Sequence, residues 1–303
     1  MTMTLFVLLG PTAVGKTELS LKIARHLGCP IINCDSRQLY KGMQIGTATP
    51  TAQEMGNITH YFVGQLELHE YYSAARYEAD VITLMETLAP TYSNVLLSGG
   101  SMMYIDAVCH GIDDIPTIDP DVRRKMRKRL EEDGLEPLLV ELKEKDPLYY
   151  DIVDRKNHKR VVHALEIIYT SGQPYSSFRS KTYKSRPFRI VKIGLRRERE
   201  ELFDRINRRV DRMMNEGFLD EARRLLPFRH ENALNTVGYK ELFHYLDGEW
   251  PLDMAVERIK KNTRVYAKKQ MTWFQRDPEI HWFHPDDEKG IMTFIDTLST
   301  PAS

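Results

Sequence analysis

The chain has 303 residues, of which 42% are hydrophobic and 28% charged, and its net charge is zero. These proportions are typical of a globular protein with one large or two medium-sized domains. No apolar run approaches the roughly 20 residues that span a membrane, and the first apolar run lacks the basic flank of a signal peptide. The three cysteines show no metal-binding spacing, so we expect a reduced, cytoplasmic setting.

An eight-residue motif near the N-terminus carries the strongest functional signal. It follows an apolar run at 5–9 that predicts a buried strand, and it precedes an amphipathic segment at 17–27 that predicts a helix. The motif matches G-x-x-x-x-G-K-[ST], the phosphate-binding loop or P-loop. Its residues are Gly10, Pro11, Thr12, Ala13, Val14, Gly15, Lys16 and Thr17.

The P-loop pattern predicts the binding of two linked phosphates. Such a loop directs backbone N–H groups towards one point at a helix N-terminus, where the helix dipole also favours anions. Lys16 adds a positive charge, and the hydroxyl of Thr17 can ligate Mg²⁺. The motif identifies neither the phosphate compound nor the bond that breaks.

Alternating strand and helix patterns predict an α/β fold. Strands are predicted at 31–34 and 95–97, with a helix at 74–88 between them, which indicates a P-loop NTPase-like parallel sheet with helices on both faces. From about 113 to 185 only helical patterns occur, at 120 onwards, 134–145 and 157–171. A strand at 188–195 then returns to the sheet. We therefore predict a discontinuous core at 1–112 and 186–298 and a helical insertion at 113–185.

Four helices are predicted after that strand, at 198–215, 217–227, 238–246 and 252–275. The last of them has a set of residues near helical spacing that indicates one packed face. This set is Val256, Ile259, Tyr266, Gln270 and Phe274.

Charge is unevenly distributed along the neutral chain. Between 44 and 94 there are six acidic residues and one arginine, whereas 153–189 has nine Lys or Arg against two acidic residues. Residues 255–276 have seven Lys or Arg against one glutamate. Two basic segments indicate a polyanion bound on one face, although solvated basic helix faces are also common.

Asp35 ends the second predicted strand. Since ligands of open parallel sheets bind at the carboxyl ends of strands, we expect Asp35 to face the P-loop. Its role could be that of a Mg²⁺ ligand, a general base or a helix N-cap. Beside Mg²⁺ and Lys16 the carboxylate would stay ionised and could accept a proton.

Several classes of P-loop protein are disfavoured by what the sequence lacks. It has no Asn-Lys-x-Asp motif for guanine, and the 95–97 strand continues into Ser-Gly-Gly-Ser at 98–101 instead of an aspartate. The remaining enzymes are a transferase for a small phosphate compound and a small-molecule kinase that uses ATP. A third possibility is an RNA-binding module whose P-loop only senses nucleotide.

Seven motifs, in order along nearly the whole chain, resemble the tRNA dimethylallyltransferase family, also called the IPP transferase family. They are the P-loop, 35–43 (Asp-Ser-Arg-Gln-Leu-Tyr-Lys-Gly-Met), 45–48 (Ile-Gly-Thr-Ala), 99–104 (Gly-Gly-Ser-Met-Met-Tyr), 157–160 with 164–166, 238–241 (Gly-Tyr-Lys-Glu) and 268–274 (Lys-Lys-Gln-Met-Thr-Trp-Phe). The resemblance implies a P-loop core with a tRNA-gripping helical insertion and a requirement for Mg²⁺. It also implies transfer of a dimethylallyl group from its diphosphate to N6 of adenosine 37, in tRNAs reading codons that begin with U.

The resemblance also implies roles for individual residues. Asp35 would be the base, and Ser101, where many members carry Thr, would orient the amine or phosphate. Lys16 would stabilise the departing diphosphate, and Arg209, or its neighbour Arg208, would contact it. The P-loop would hold diphosphate or a nucleotide such as ATP, with Thr17 on Mg²⁺. Predicted tRNA-binding residues are Asp35, Ser36, Arg37, Gln38, Ser101, Arg123, Lys156, Asn157, His158, Lys159 and Arg160.

The predicted partners are therefore the anticodon stem-loop of tRNA and dimethylallyl diphosphate, with no membrane contact, for a protein that is expected to be a monomer. His281 and His284 have no third metal ligand near them in the sequence, and we expect both to be ordinary surface residues.

Overall fold

The computed structural model describes residues 3–113, 115–179 and 183–299. The chain divides into two compact units. We call Met1–Cys109 with Ser185–Ser303 the core unit and His110–Lys184 the helical unit. The predicted insertion, 113–185, differs from the helical unit by three residues at its start and by one at its end.

The first part of the core unit alternates strands and helices. Its first strand is buried at every position because six residues, mostly apolar, follow one another without interruption. The elements are β1 (Thr4–Leu9), α1 (Lys16–Leu27), β2 (Ile31–Cys34), α2 (Gln44–Thr47), α3 (Ala52–Met55), β3 (His60–Tyr61), α4 (Ala74–Leu88), β4 (Asn94–Gly99) and α5 (Met102–His110).

Within its described residues, the helical unit has five helices around its own apolar core, which includes Leu138, Leu142, Val161 and Leu165. Local sequence sets where these helices begin. The Asp119 side chain caps the first of them, and four of the five carry proline in their first turn or just before it. The helices are α6 (Pro120–Asp133), α7 (Glu136–Lys145), α8 (Pro147–Ile152), α9 (His158–Ser171) and α10 (Tyr175–Phe178).

The chain then completes the core unit. The predicted strand and the four predicted helices are confirmed, because each observed end lies within two residues of the predicted end. The elements are β5 (Arg189–Leu195), α11 (Arg199–Asn215), α12 (Phe218–Leu225), α13 (Tyr239–Leu246), α14 (Leu252–Phe274), β6 (Ile280–Phe283) and α15 (Glu288–Ser299). Sequence patterns did not predict β6 or α15, nor the short β3, α2, α3, α8 and α10.

The six strands form one parallel sheet in the order β3-β2-β4-β1-β5-β6. Alternate residues of β1 enter two different apolar clusters: Leu5, Val7 and Leu9 in one, Phe6 and Leu8 in the other. Both faces are therefore covered, and the predicted α/β sheet is confirmed. Because all strands run the same way, their carboxyl ends share one edge.

Among the residues described, none of the helices combines the length and the apolar character needed to cross a membrane.

Candidate active site

The P-loop connects β1 to α1 and depends on glycine at its two ends. Gly10 has a φ of 151° and Gly15 a φ of 118°, in a region that other residues rarely adopt. A Cβ on Gly10 would lie 2.7 Å from the carbonyl oxygen of Leu195, so any larger residue would push the loop away from β5. The loop therefore reaches the N-terminus of α1 in a conformation that requires glycine at both of its ends.

Several polar groups of the loop are already paired within the protein. Lys16 Nζ donates to the carbonyls of Gly10 (2.9 Å) and Pro11 (2.8 Å). The Thr12 N–H donates to Gln270 Oε1 at 2.9 Å, and so it points towards α14. The loop amides that can face a phosphate are therefore those nearer the start of α1.

Two arginines donate hydrogen bonds to backbone carbonyls of the loop. Arg205 Nε donates to the carbonyl of Ala13, and Arg197 Nε donates to the carbonyl of Val14, both at 2.9 Å. In each of these peptide units the carbonyl points away from the N–H group. The two hydrogen bonds therefore fix the direction in which the N–H groups of the loop point.

The loop opens onto a cavity of about 990 Å³ at the carboxyl edge of the sheet. Lys16 and Thr17 line it together with Asp35, which follows β2, and Gly100, which follows β4. Arg209 of α11 lines the same cavity. Folding thus places the candidate base and the candidate diphosphate ligands around one space.

The ends of β2 and β4 are in very close contact. Cys34 is paired with Gly99, and a Cβ on Gly99 would lie 2.1 Å from the Cys34 carbonyl oxygen. The Ser101 N–H donates to that same carbonyl at 3.1 Å. Only glycine permits this approach, which brings Ser101 beside the segment that follows β2.

Backbone hydrogen bonds organise the segment around Asp35. Asp35 Oδ1 accepts the Arg37 N–H at 2.9 Å, and Ser101 Oγ accepts the Ser36 N–H at 2.8 Å. The Arg37 guanidinium donates to the carbonyl of Asn232 at 2.7 Å, so this predicted tRNA contact is already anchored within the core unit.

The geometry distinguishes between Arg208 and Arg209. Arg208 is 67% exposed in its side chain and pairs with Asp204 one turn earlier. Arg209 is half-buried, and its guanidinium donates to the carbonyl of Thr47 at 3.3 Å. Of the two, Arg209 has the more enclosed position beside Asp35.

A turn at 44–48 supports this wall of the cavity. Gln38 Nε2 donates to the carbonyls of Thr47 and Ala48, each at 3.1 Å. The turn itself is fixed by the buried carboxylate of Glu221, which accepts the N–H groups of Ile45 and Gly46 at 2.8 Å each.

Tyr239 completes this support, because its hydroxyl donates to Glu221 at 2.7 Å. A Cβ on Gly46 would lie 2.3 Å from the Phe218 ring and 2.5 Å from the Tyr239 ring. The Ile-Gly-Thr-Ala and Gly-Tyr-Lys-Glu motifs of the sequence therefore form one packed unit behind the cavity.

The surroundings shift the pKa values of the two cavity cations. Burial lowers the pKa of Lys16 to about 7; Asp35 raises that pKa and Arg209 lowers it. Burial also lowers the pKa of Arg209, and Asp35 opposes this change. A bound polyanion would favour the charged forms of both groups.

Thr17 offers a ligand that fits Mg²⁺. It is exposed to the cavity, and no hydrogen bond to its hydroxyl is formed by the part of the chain that the structure describes. Mg²⁺ is bound through few protein oxygens together with phosphate oxygens, and a hydroxyl with a nearby carboxylate such as that of Asp35 is a hard oxygen set of this kind.

Folding also brings acidic residues to His284. Glu201, His284 and Asp286 place one ligand atom each within 4.8 Å of one another, which the sequence spacing could not show. Arg197 donates to both carboxylates, so their charge is balanced by the same guanidinium that holds the P-loop.

The predicted RNA-binding residues of the helical unit cluster at the start of α9 and on α6. Lys156, His158, Lys159 and Arg160 are exposed. Asn157 instead caps α9, since its side chain accepts the Arg160 N–H at 3.3 Å. Arg123 lies 3.9 Å from Glu166.

Several residues at the cavity or the P-loop had no predicted site role, among them Arg197, Arg205, Tyr266 and Gln270. Burial raises the pKa of Tyr266 to about 12, so its ring lines the cavity as a neutral phenol. One feature of the sequence could have identified Gln270, because it is a polar residue on the packed face of α14. The arginines gave none, since α11 and the residues just before it are rich in charge.

Comparisons with known proteins identify the family of this chain. A family model described as IPP transferase matches residues 38–277. The sequence is 61% identical over 292 residues, 96% of this chain and 98% of the relative, to tRNA dimethylallyltransferase 2 of Parabacteroides distasonis.

Two solved structures are also similar to this one. The full-length tRNA isopentenylpyrophosphate transferase from Bacillus halodurans matches with a TM-score of 0.71 and 35% identity, over 97% of this chain and 96% of that chain. A eukaryotic dimethylallyltransferase described as acting on tRNA matches with a TM-score of 0.81 and 26% identity, over 94% and 74%. This chain belongs to the IPP transferase family.

Proposed function

We propose that this protein is a tRNA dimethylallyltransferase, which transfers the dimethylallyl group of dimethylallyl diphosphate to N6 of adenosine 37 in tRNAs that read codons beginning with U. The observation that best supports this is the shared cavity of the P-loop, Arg209 and Asp35. One side of that cavity suits a diphosphate, and the other offers a carboxylate. Similar proteins are named as dimethylallyltransferases that act on tRNA.

The P-loop side would stabilise the leaving group. As the bond between carbon and diphosphate breaks, negative charge grows on the diphosphate, and fixed donors around it lower the barrier. Lys16, Arg209 and the amides at the start of α1 are those donors. Mg²⁺ held by Thr17 would supply further charge neutralisation on the diphosphate oxygens.

Asp35 would act on the acceptor. The exocyclic amine of adenine is a poor nucleophile because its lone pair is delocalised into the ring. A base that takes its proton as the new bond forms is worth about 10²–10⁴-fold in rate. The Asp35 carboxylate lines the cavity and its Oδ1 accepts the Arg37 N–H, and both observations support this role.

The tRNA contacts would come from residues of the core unit and from exposed cations of the helical unit. A base stacked in an anticodon loop must be extruded before its amine can react, which costs a few kcal/mol. Exposed cations at the start of α9 suit the RNA backbone. The enzyme would work as a monomer in the cytoplasm.

The decisive experiment is mass spectrometry of nucleosides, and of ribonuclease fragments that locate the modified base, from unmodified tRNA incubated with the protein, Mg²⁺ and dimethylallyl diphosphate. We expect adenosine that is heavier by one dimethylallyl group, at position 37. A parallel incubation with ATP and a panel of metabolites tests the kinase alternative. Phosphoryl transfer without prenyl transfer would overturn the proposal, and so would prenylation at an unrelated position.

A further inference from the structure

Gln270 connects two segments of the core unit through its side-chain amide. The residue is 2% exposed and lies on the packed face of α14, between the buried Ala267 and Phe274. Its Oε1 accepts the Thr12 N–H at 2.9 Å, and its Nε2 donates to the carbonyl of Gly100 at 2.8 Å. The two partners fix the amide orientation, because one is only a donor and the other only an acceptor.

These two partners belong to different segments that line the cavity. Thr12 is part of the P-loop, which holds the diphosphate in the proposed reaction. Gly100 directly precedes Ser101, whose Oγ accepts the Ser36 N–H next to Asp35. The Gln270 amide therefore links the P-loop to the segment that carries Ser101.

The spacing at Gly100 is tight. A Cβ on Gly100 would lie 2.5 Å from Gln270 Nε2 and 3.2 Å from the carbonyl oxygen of Gly10. Three segments that are far apart in the chain thus meet with no room between them. A small change in the length or polarity of the Gln270 side chain must be taken up by movement of the P-loop or of the end of β4.

Few side chains can replace this amide. Asparagine is one methylene shorter, and methionine has a similar shape but neither the donor nor the acceptor. Glutamate keeps the acceptor, but its ionised carboxylate would face the Gly100 carbonyl oxygen without a proton to donate. Each replacement leaves at least one buried backbone group without a partner.

We propose that Gln270 is a positioning residue that sets the distance between the reactive carbon of the donor and the attacking nitrogen. It acts through Thr12 and Gly100. The proposal rests on the proposed function, because the distance matters only if donor and acceptor react across this cavity. Misplacement of reacting groups by about 1 Å can cost about 100-fold in rate.

The first test compares Gln270→Met with the matched control Gln275→Met, an exposed glutamine at the end of the same helix. We expect Gln270→Met to slow single-turnover prenyl transfer at saturating donor and tRNA by about 10–100-fold. The dissociation constants for both substrates should change less than about threefold, and the control should match the native protein. An unchanged rate with a lowered melting temperature would show a merely structural role and overturn the proposal.

The second test uses pH to restore the missing donor. In Gln270→Glu a protonated carboxyl again offers one donor and one acceptor, whereas the ionised form does not. The ratio of the variant rate to the native rate should therefore rise as pH falls. Using a ratio cancels effects of pH on Asp35 itself. A ratio that stays flat from about pH 5.5 to 8.5 would contradict the proposal. If Gln270→Met fails to fold, this variant and Gln270→Asn carry the rate comparison.

Hydrogen exchange separates this proposal from the proposed function, since it needs no reaction. The Thr12 amide should exchange faster in Gln270→Met than in the native protein and in Gln275→Met. If the native protein yields no prenylated nucleoside but exchange responds as expected, the proposed function fails while the link between Gln270 and the P-loop stands. Unchanged exchange at 10–17 would overturn the link itself.

Discussion

The core unit and the helical unit use polar residues in different ways. In the core unit, Asp35, Arg37, Gln38 and Gln270 are all hydrogen-bonded to backbone groups, and the partners of Arg37 and Gln270 lie far away in the chain. In the helical unit, the candidate RNA contacts at the start of α9 are exposed side chains. The difference teaches that bond-making chemistry needs fixed distances, whereas contact with an RNA backbone needs mainly positive charge that can adapt.

Removing the candidate base should have the largest effect. We expect Asp35→Ala to lower turnover by at least about 10²-fold, because the amine then loses its proton acceptor. The affinity for tRNA should change little. Single-turnover kinetics and tRNA binding on the same preparation measure both, with the exposed Asp151→Ala of the helical unit as the control. Near-normal turnover would reject the assignment of Asp35.

Removing charge from the helical unit should affect binding instead of chemistry. We expect Lys159→Ala combined with Arg160→Ala to weaken tRNA binding about tenfold and to reduce the slope of log affinity against log salt by about 1.5. The matched control is Lys22→Ala with Lys41→Ala, which removes two lysines that already pair with glutamates in the core unit. An unchanged salt slope would remove Lys159 and Arg160 from the interface.

The lowered pKa of Lys16 predicts a pH dependence of anion binding. Without a ligand, the Lys16 pKa of about 7 means that the charge is increasingly lost as pH rises above 7. Diphosphate favours the charged form and should raise this pKa, so binding takes up a proton between the two values. We expect affinity for inorganic diphosphate to fall with rising pH, by at most about tenfold per pH unit.

Calorimetry in buffers with different ionisation enthalpies measures this proton uptake. Lys16→Arg is the matched control, because a guanidinium keeps its charge over the same pH range. Proton uptake that is equal in the native protein and in Lys16→Arg would show that the ligand, and not Lys16, titrates.

The smallest expected effect concerns the support behind the cavity. Tyr239→Phe removes one hydrogen bond to Glu221 but leaves the N–H groups of Ile45 and Gly46 bonded to the carboxylate. We expect the free energy of unfolding to fall by about 1 kcal/mol, with turnover nearly unchanged. Denaturant unfolding measures the first quantity. A large loss of turnover without loss of stability would place Tyr239 closer to the chemistry than the structure does.

Much of the fold could be predicted because its signals are local. The apolar run of β1, the glycines of the P-loop and the helical spacing of α4 lie within single short segments. β3 could not be predicted, since two half-buried residues show no pattern. β6 and α15 follow a stretch of mixed polar and aromatic residues, and their burial depends on β5 and α1, far away in the chain.

The site was predictable to a different extent. Asp35 and Lys16 could be placed at one edge of the sheet because parallel strands end together. Gln270 could not be placed, since its two partners lie 258 and 170 residues away. Arg197 could not be placed for the same reason, because the Val14 carbonyl that accepts its hydrogen bond lies 183 residues away.

The amino-acid sequence by itself determined the anion-binding loop, the strand that ends in Asp35 and the order of the helices, because each depends on neighbours within a few residues. Tertiary structure alone decided which buried amide links the P-loop to the end of β4, and which of Arg208 and Arg209 is the more enclosed. The amide link arises where β1, β4 and α14 pack together, and no short stretch of chain contains all three.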